Sequence, residues 1–363
     1  MLCVSFACRQ YCRCSTTRRE NRFDHAVPRK GPPEHDHRWS LAGGQATFGV
    51  VRHRVAAILA LLVAACASHD TSTRPTAPAP STTRLSVDDT FARVALAGGD
   101  HRALLTSGAL AAVQRHRSLT GAPAKSAGAV LEELLGKIKE RAAAARVLRH
   151  WRGRHAELVR CAAAARRHLP TDVGLEGTIF LAAGYDIGVV SPPDVVLNVA
   201  HPHFTAAPAE LCHYVTHEVH HLGFLAVRPM PDLRRAVRTR DGVLALIRYT
   251  TQLEGMAVHA AYAPRQAAGA LAADADYRVY RDPRHARDVR RAYAARIRQV
   301  QAGAFSAQLV GEVLTALSSG ERLWYRYGAL VAREIEARGG REALVRTIRD
   351  PGAFDRVADE LMP

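Results

Sequence analysis

GTIFLAAG at residues 177–184, DVVLNVA at 194–200 and PAELCHYVTHEVHHLG at 208–223 decide the fold. The first two runs are short, apolar and partly β-branched, and a loop containing Pro192 and Pro193 separates them, so they predict two strands. The third carries Leu211, Val215, Val219 and Leu222 at helical spacing, which predicts an amphipathic helix with one buried face. Downstream, Pro229 and Pro231 break the pattern. Helical periodicity then returns at about 241–262, 284–302, 305–318, 321–338 and 341–348. Upstream, residues 86–169 are rich in alanine and arginine. Gly98-Gly99 and Gly121-Ala122-Pro123 interrupt this region, which predicts three or four helices with the clearest stripe at Leu131, Leu134, Leu135 and Ile138. The expected class is α+β and mostly α-helical, with a small sheet preceding the histidine-bearing helix and a helical region after it.

Within that helix, His217-Glu218-Val219-His220-His221 fits the pattern HExxH. At 3.6 residues per turn, His217 and His221 share a face and both imidazoles reach one ion. Glu218 points about 100° away, toward a water on that ion. A catalytic zinc site asks for three protein ligands and one open position, and the third must come from elsewhere. A third histidine six residues on would complete one well-known pattern, but Val227 stands there and Phe224 replaces its glycine. Further downstream, Val243, Ile247, Thr250, Glu254, Val258 and Ala261 fall on one stripe. A carboxylate on a buried stripe costs several kcal/mol unless it is paired or bound to metal, which nominates Glu254 as third ligand. Asp241 is the runner-up, although its place at a helix start also suits a capping role. His213 and His220 read as supporting or solvent-facing groups. The expected cofactor is one Zn²⁺ per chain.

The formal net charge is +16, and residues 1–65 hold ten Lys and Arg against four Asp and Glu, so the rest of the chain stays basic. Its arginines are spread along helices without interleaved aromatics, so a solvated surface is expected and no nucleic-acid partner. Residues 1–50 crowd four cysteines and many arginines into a polar stretch and read as a disordered or mis-annotated leader, with Val50 or Val51 as the expected true start. Arg52 and Arg54 then precede an 11-residue apolar run, Val55 to Ala65, and Cys66. That layout predicts a lipoprotein signal peptide over 51–65, too short to span a bilayer, with Cys66 lipidated. Residues 66–85 read as a flexible Ser/Thr/Pro/Ala linker, 86–169 as a helical N-terminal region and 170–363 as the domain bearing the motif. The expected location is outside the cytoplasm, anchored to the cell envelope, at the outer membrane if the cell is Gram-negative. In an exported chain, Cys161 and Cys212 are either a disulfide or two buried thiols.

The strands before the motif helix, His217-Glu218-Val219-His220-His221, Glu254-Gly-Met-Ala257 and Tyr325-x-x-Gly328 together resemble the gluzincins of the metallopeptidase MA clan. The likeness is to bacterial branches with HExHH followed by a distant Glu-Gly-x-Ala, and it covers roughly residues 175–350. It departs from well-studied members in the 33 residues from His221 to Glu254, a longer step than theirs. The resemblance implies a zincin-like domain that hydrolyses peptide bonds of a peptide or protein substrate, with Glu218 as general base. It leaves an oxyanion donor to be found, and Tyr325, Tyr327 and His259 are the candidates. Two rival readings are a zinc hydrolase of a non-peptide amide or ester and a non-catalytic cell-envelope lipoprotein.

Overall fold

Apolar runs such as Ile179–Ala183 and Val195–Leu197 are buried on both sides, and a strand buried on both sides needs helices on both faces of its sheet. The computed structural model describes residues 82–363 and shows that arrangement. The leader, the signal peptide, Cys66 and the linker up to residue 81 lie outside the described residues.

Four strands, β1 (Thr83–Asp88), β2 (Leu175–Ala182), β3 (Gly188–Ser191) and β4 (Asp194–Asn198), form one sheet in the order β1-β2-β4-β3. β1 runs parallel to β2 with Thr83 opposite Leu175, β2 runs parallel to β4, and β3 pairs antiparallel with β4. Sequence reasoning expects β2 and β4 but not their partners. β1 is an exposed edge in a Thr/Arg/Ser stretch whose first three residues overlap the expected linker; β3 is only four residues long.

Side chains alternate across the sheet as the period of two requires. Phe180, Ala182, Val189 and Val196 face one apolar cluster with Phe91 and Ala95 of α1 (Thr90–Ala97), Leu110 and Val113 of α2 (Gly108–Leu119) and Leu131 and Leu134 of α3 (Ala127–Gly136). Ile179, Leu181, Val195 and Leu197 face the larger cluster. There they meet Val147 and Trp151 of α4 (Arg141–Trp151) and Leu158 and Ala162 of α5 (His155–Ala165). After the short α6 (Pro202–Ala206), the long α7 (Glu210–Val227) packs on this same face through Leu211, Val215 and Val219. The α+β, mostly helical class is as expected.

Beyond a single turn, α8 (Leu233–Ala236), lies α9 (Arg240–Ala267), capped by the Thr239 hydroxyl, which accepts from Gly242 N at 3.1 Å. Next come α10 (Pro283–Ala302), α11 (Ala307–Thr315) with a π-helical turn at Ala316–Gly320, α12 (Leu323–Arg346) and α13 (Pro351–Leu361). The two helices expected at 321–338 and 341–348 are present within Leu323–Arg346, separated at Gly340, whose φ of 74° and ψ of 174° lie outside the helical range. No helix among the described residues is long and apolar enough to cross a membrane.

Candidate metal centre

α7 is held at several points along its length, and this fixes where its histidines aim. A disulfide from Cys161 to Cys212, with Cα atoms 5.4 Å apart, ties its first turn to α5. Of the two readings open for these cysteines, the structure shows the bonded one. Glu210, also in the first turn, pairs with the buried Arg265 near the end of α9. At the other end, Arg228 bonds Gln252 of α9, and Tyr249 donates its hydroxyl to the Arg228 carbonyl at 2.9 Å. The register of α9 against α7 is thereby pinned on both sides of Glu254.

Across from α7, α9 crosses α12 with backbone touching backbone. A Cβ built on Gly255 would lie 2.1 Å from the Gly328 carbonyl carbon, and one on Gly328 would lie 2.0 Å from the Thr251 oxygen. Only glycine fits at these two positions. The contact sits beside Glu254 on one helix and three residues past Tyr325 on the other. It therefore explains why Glu-Gly and Tyr-x-x-Gly belong together.

The result is a convergence of three donors. His217 Nε2 and His221 Nε2 are 3.0 Å apart, His221 Nε2 is 3.1 Å from Glu254 Oε2, and His217 Nε2 is 3.4 Å from the same oxygen. All three lie within the compass of one ion. Ligands at about 2.1 Å around a tetrahedral zinc stand roughly 3.4 Å from one another, so the donor set fits the metal in type and spacing. The electrostatics agree. Burial lowers His221, but Glu254 and Glu218 outweigh it and raise the imidazole, so a proton is shared among these donors, and a cation held by all three would take its place.

Burial raises the Glu254 carboxyl, but the charges and hydrogen bonds of His221 and His217 outweigh it and hold the group below the usual carboxylate range. Burial, reinforced by His221, brings His217 down to about 4. Next to them Glu218 is buried, and its burial, with the charges of Glu254 and Asp186 adding and His221 opposing, pushes it up to about 7. Its carboxylate rests on Gly188 at the start of β3, where a Cβ would lie 2.6 Å from Oε1.

Tyr325 stacks on His217, with ring centroids 6.2 Å apart and planes 17° from parallel, and its hydroxyl has no hydrogen-bond partner among the described residues. Arg322 holds this ring from behind, its guanidinium 3.8 Å from the centroid. Arg322 adopts φ 54°, a left-handed conformation that costs a side-chain-bearing residue about 1–2 kcal/mol. Its 2.7 Å ion pair with the buried Asp276 offsets that strain. Arg322 and Gly188 were missed by sequence reasoning, because an arginine among 50 Lys and Arg and a glycine among 26 carry no local signal.

Three expected candidates are not brought to this site. Tyr327 is fully buried, donates its hydroxyl to the Ala358 carbonyl and stacks on Tyr293 with centroids 4.0 Å apart, so it packs the core. His259 is engaged by Tyr280 at 3.0 Å and by Glu336. Asp241 sits exposed in the first turn of α9, thirteen residues and about 20 Å along the helix from Glu254, and Thr239 supplies the cap instead. His213 and His220 are both buried rather than solvent-facing, and His220 Nε2 donates to the His168 carbonyl at 3.2 Å.

Fold and site together define a class: an α+β protein that presents a His-His-Glu donor set on two packed helices, with a second glutamate beside it. Residues 131–357 match the model of a family described as "Putative zinc dependent peptidase (DUF5700)", and the chain belongs to this family. No curated protein matches the chain, and no solved structure does.

Proposed function

We propose that this chain is a gluzincin-type zinc metallopeptidase, exported and held at the cell envelope by a lipid on Cys66, that cleaves a peptide or protein substrate. The observation that carries the reading is the meeting of His217, His221 and Glu254 donors at 3.0–3.4 Å with the buried Glu218 alongside.

His217, His221 and Glu254 would hold the zinc. When bound, zinc supplies a Lewis acid that polarises a carbonyl and acidifies water. Glu218 takes the proton of the attacking water on a carboxylate oxygen and delivers it to the departing amine. A carboxyl poised near neutrality suits both halves of that transfer. Tyr325, with its hydroxyl free and its ring set against His217, donates to the oxyanion that develops at the substrate carbonyl. The Cys161–Cys212 disulfide supports an oxidising compartment, in keeping with export.

Glu218→Gln keeps the size of the side chain and removes the base. The variant is expected to retain wild-type zinc content and its fold, while hydrolysis of a mixed peptide library falls on the order of a hundredfold or more. His221→Ala should lose the metal itself. Undiminished cleavage by Glu218→Gln removes the general-base role. Zinc-loaded wild type that cleaves no peptide turns the reading toward a non-peptide amide or ester, or toward a binding lipoprotein.

A further inference from the structure

Behind the first donor set, a second one joins three segments that the HExxH motif does not reach. His168 closes the 3-10 turn Arg166–His168 after α5, His259 lies on α9, and Glu336 lies on α12. One ligand atom from each falls within 4.8 Å of the others. His259 is five residues past Glu254, about 7.5 Å farther along α9 and turned to another face, so the two sets are separate.

Hydrogen-bond accounting shows what this cluster lacks. The Tyr280 hydroxyl lies 3.0 Å from His259 Nδ1 and 3.3 Å from the Ala329 carbonyl oxygen, and its one hydrogen serves one of the two. On its other side His259 Nε2 is in hydrogen-bond contact with Glu336 Oε2. A proton or a metal ion between the nitrogen and the carboxylate oxygen satisfies that contact. His168 brings the third ligand atom: it is 3% exposed, neither ring nitrogen has a hydrogen-bond partner among the described residues, and Nε2 stands 3.6 Å from Glu336 Oε1. Leaving a buried polar atom unpaired is costly, and a single proton on His259 does nothing for His168. The Tyr280 contact is the kind of outer support that fixes the tautomer of a ligating histidine. Glu336, partly exposed, gives the ion its way in.

We propose that His168, His259 and Glu336 form a second site for a divalent transition metal, best suited by donor type to zinc, that clamps the turn after α5 to α9 and α12. The site is independent of the peptidase reading; together with a zinc on His217, His221 and Glu254 it brings the metal content of the full chain to two per molecule.

Zn²⁺ content after dialysis, measured by metal analysis with folding checked by circular dichroism, separates the two sets. Wild type is expected to hold two Zn²⁺ per chain, and His217→Ala/His221→Ala is expected to hold one. Adding Glu336→Gln to that double variant should bring the count to none, and Glu336→Gln alone should take wild type from two to one. Near-identical size and partial exposure make Glu336→Gln a substitution that the fold tolerates. A double variant without zinc, or Glu336→Gln that leaves both counts unchanged, overturns the proposal. A failure of the HExxH assignment would look different: wild type and the double variant would then hold the same number.

Discussion

Glu218 owes its position to the absence of an atom. Gly188 leaves the carboxylate its seat against β3, and an alanine there would place a methyl 2.6 Å from Oε1 and 3.0 Å from Cδ. Gly188→Ala should therefore push the carboxylate aside while leaving His217, His221 and Glu254 untouched. Misplacing a catalytic group by about 1 Å can cost on the order of a hundredfold, so a fall of that size in kcat/KM at constant zinc content is expected. Full activity in this variant would mean that the base is not held by β3. The convergence of His217 and His221 was legible in the sequence because their spacing encodes one helix face, and that of Glu254 because a carboxylate on an apolar stripe needs a partner. Tyr327 misled because an aromatic in LWYRYG looks the same whether its hydroxyl meets a backbone carbonyl or a substrate.

Helix α9 owes its placement to glycine on both sides of a crossing. A Cβ at Gly328 would meet backbone rather than a flexible side chain, so no rotamer change relieves it. Gly328→Ala is expected to destabilise the protein by about 1–3 kcal/mol, the usual cost of overpacking, and to weaken zinc retention as Glu254 is levered away from the histidines. Gly128 in α3 is the control, since nothing lies within 4 Å of a Cβ there. Gly128→Ala should be neutral or stabilising by up to about 1 kcal/mol. Urea unfolding of the two variants checks both, and equal stabilities would show that the crossing is not tight. Long helices and their buried faces could be read from periodicity. The strands β1 and β3 could not, because an exposed edge and a four-residue hairpin arm owe their form to their neighbours rather than to their own composition.

The whole molecule needs more chain than its family-matched part. Residues 131–357 contain the metal centre but omit β1, α1 and α2, which cover the edge of β2 and the face formed by Phe180, Val189 and Val196. A fragment of 131–357 should aggregate or bind hydrophobic dyes, while 82–363 stays monodisperse; light scattering distinguishes them. A well-behaved short fragment would show that the second helical layer is dispensable.

The pairing of Thr83 with Leu175 also sets an order of events. β1 is synthesised first, yet its partner arrives only after some ninety further residues, and closing so long a loop has to wait for the intervening helices to gather. The first strand to be made thus cannot dock until the second one exists. Until it docks, one flank of the central strand stays open to any other chain that is still unfolded nearby.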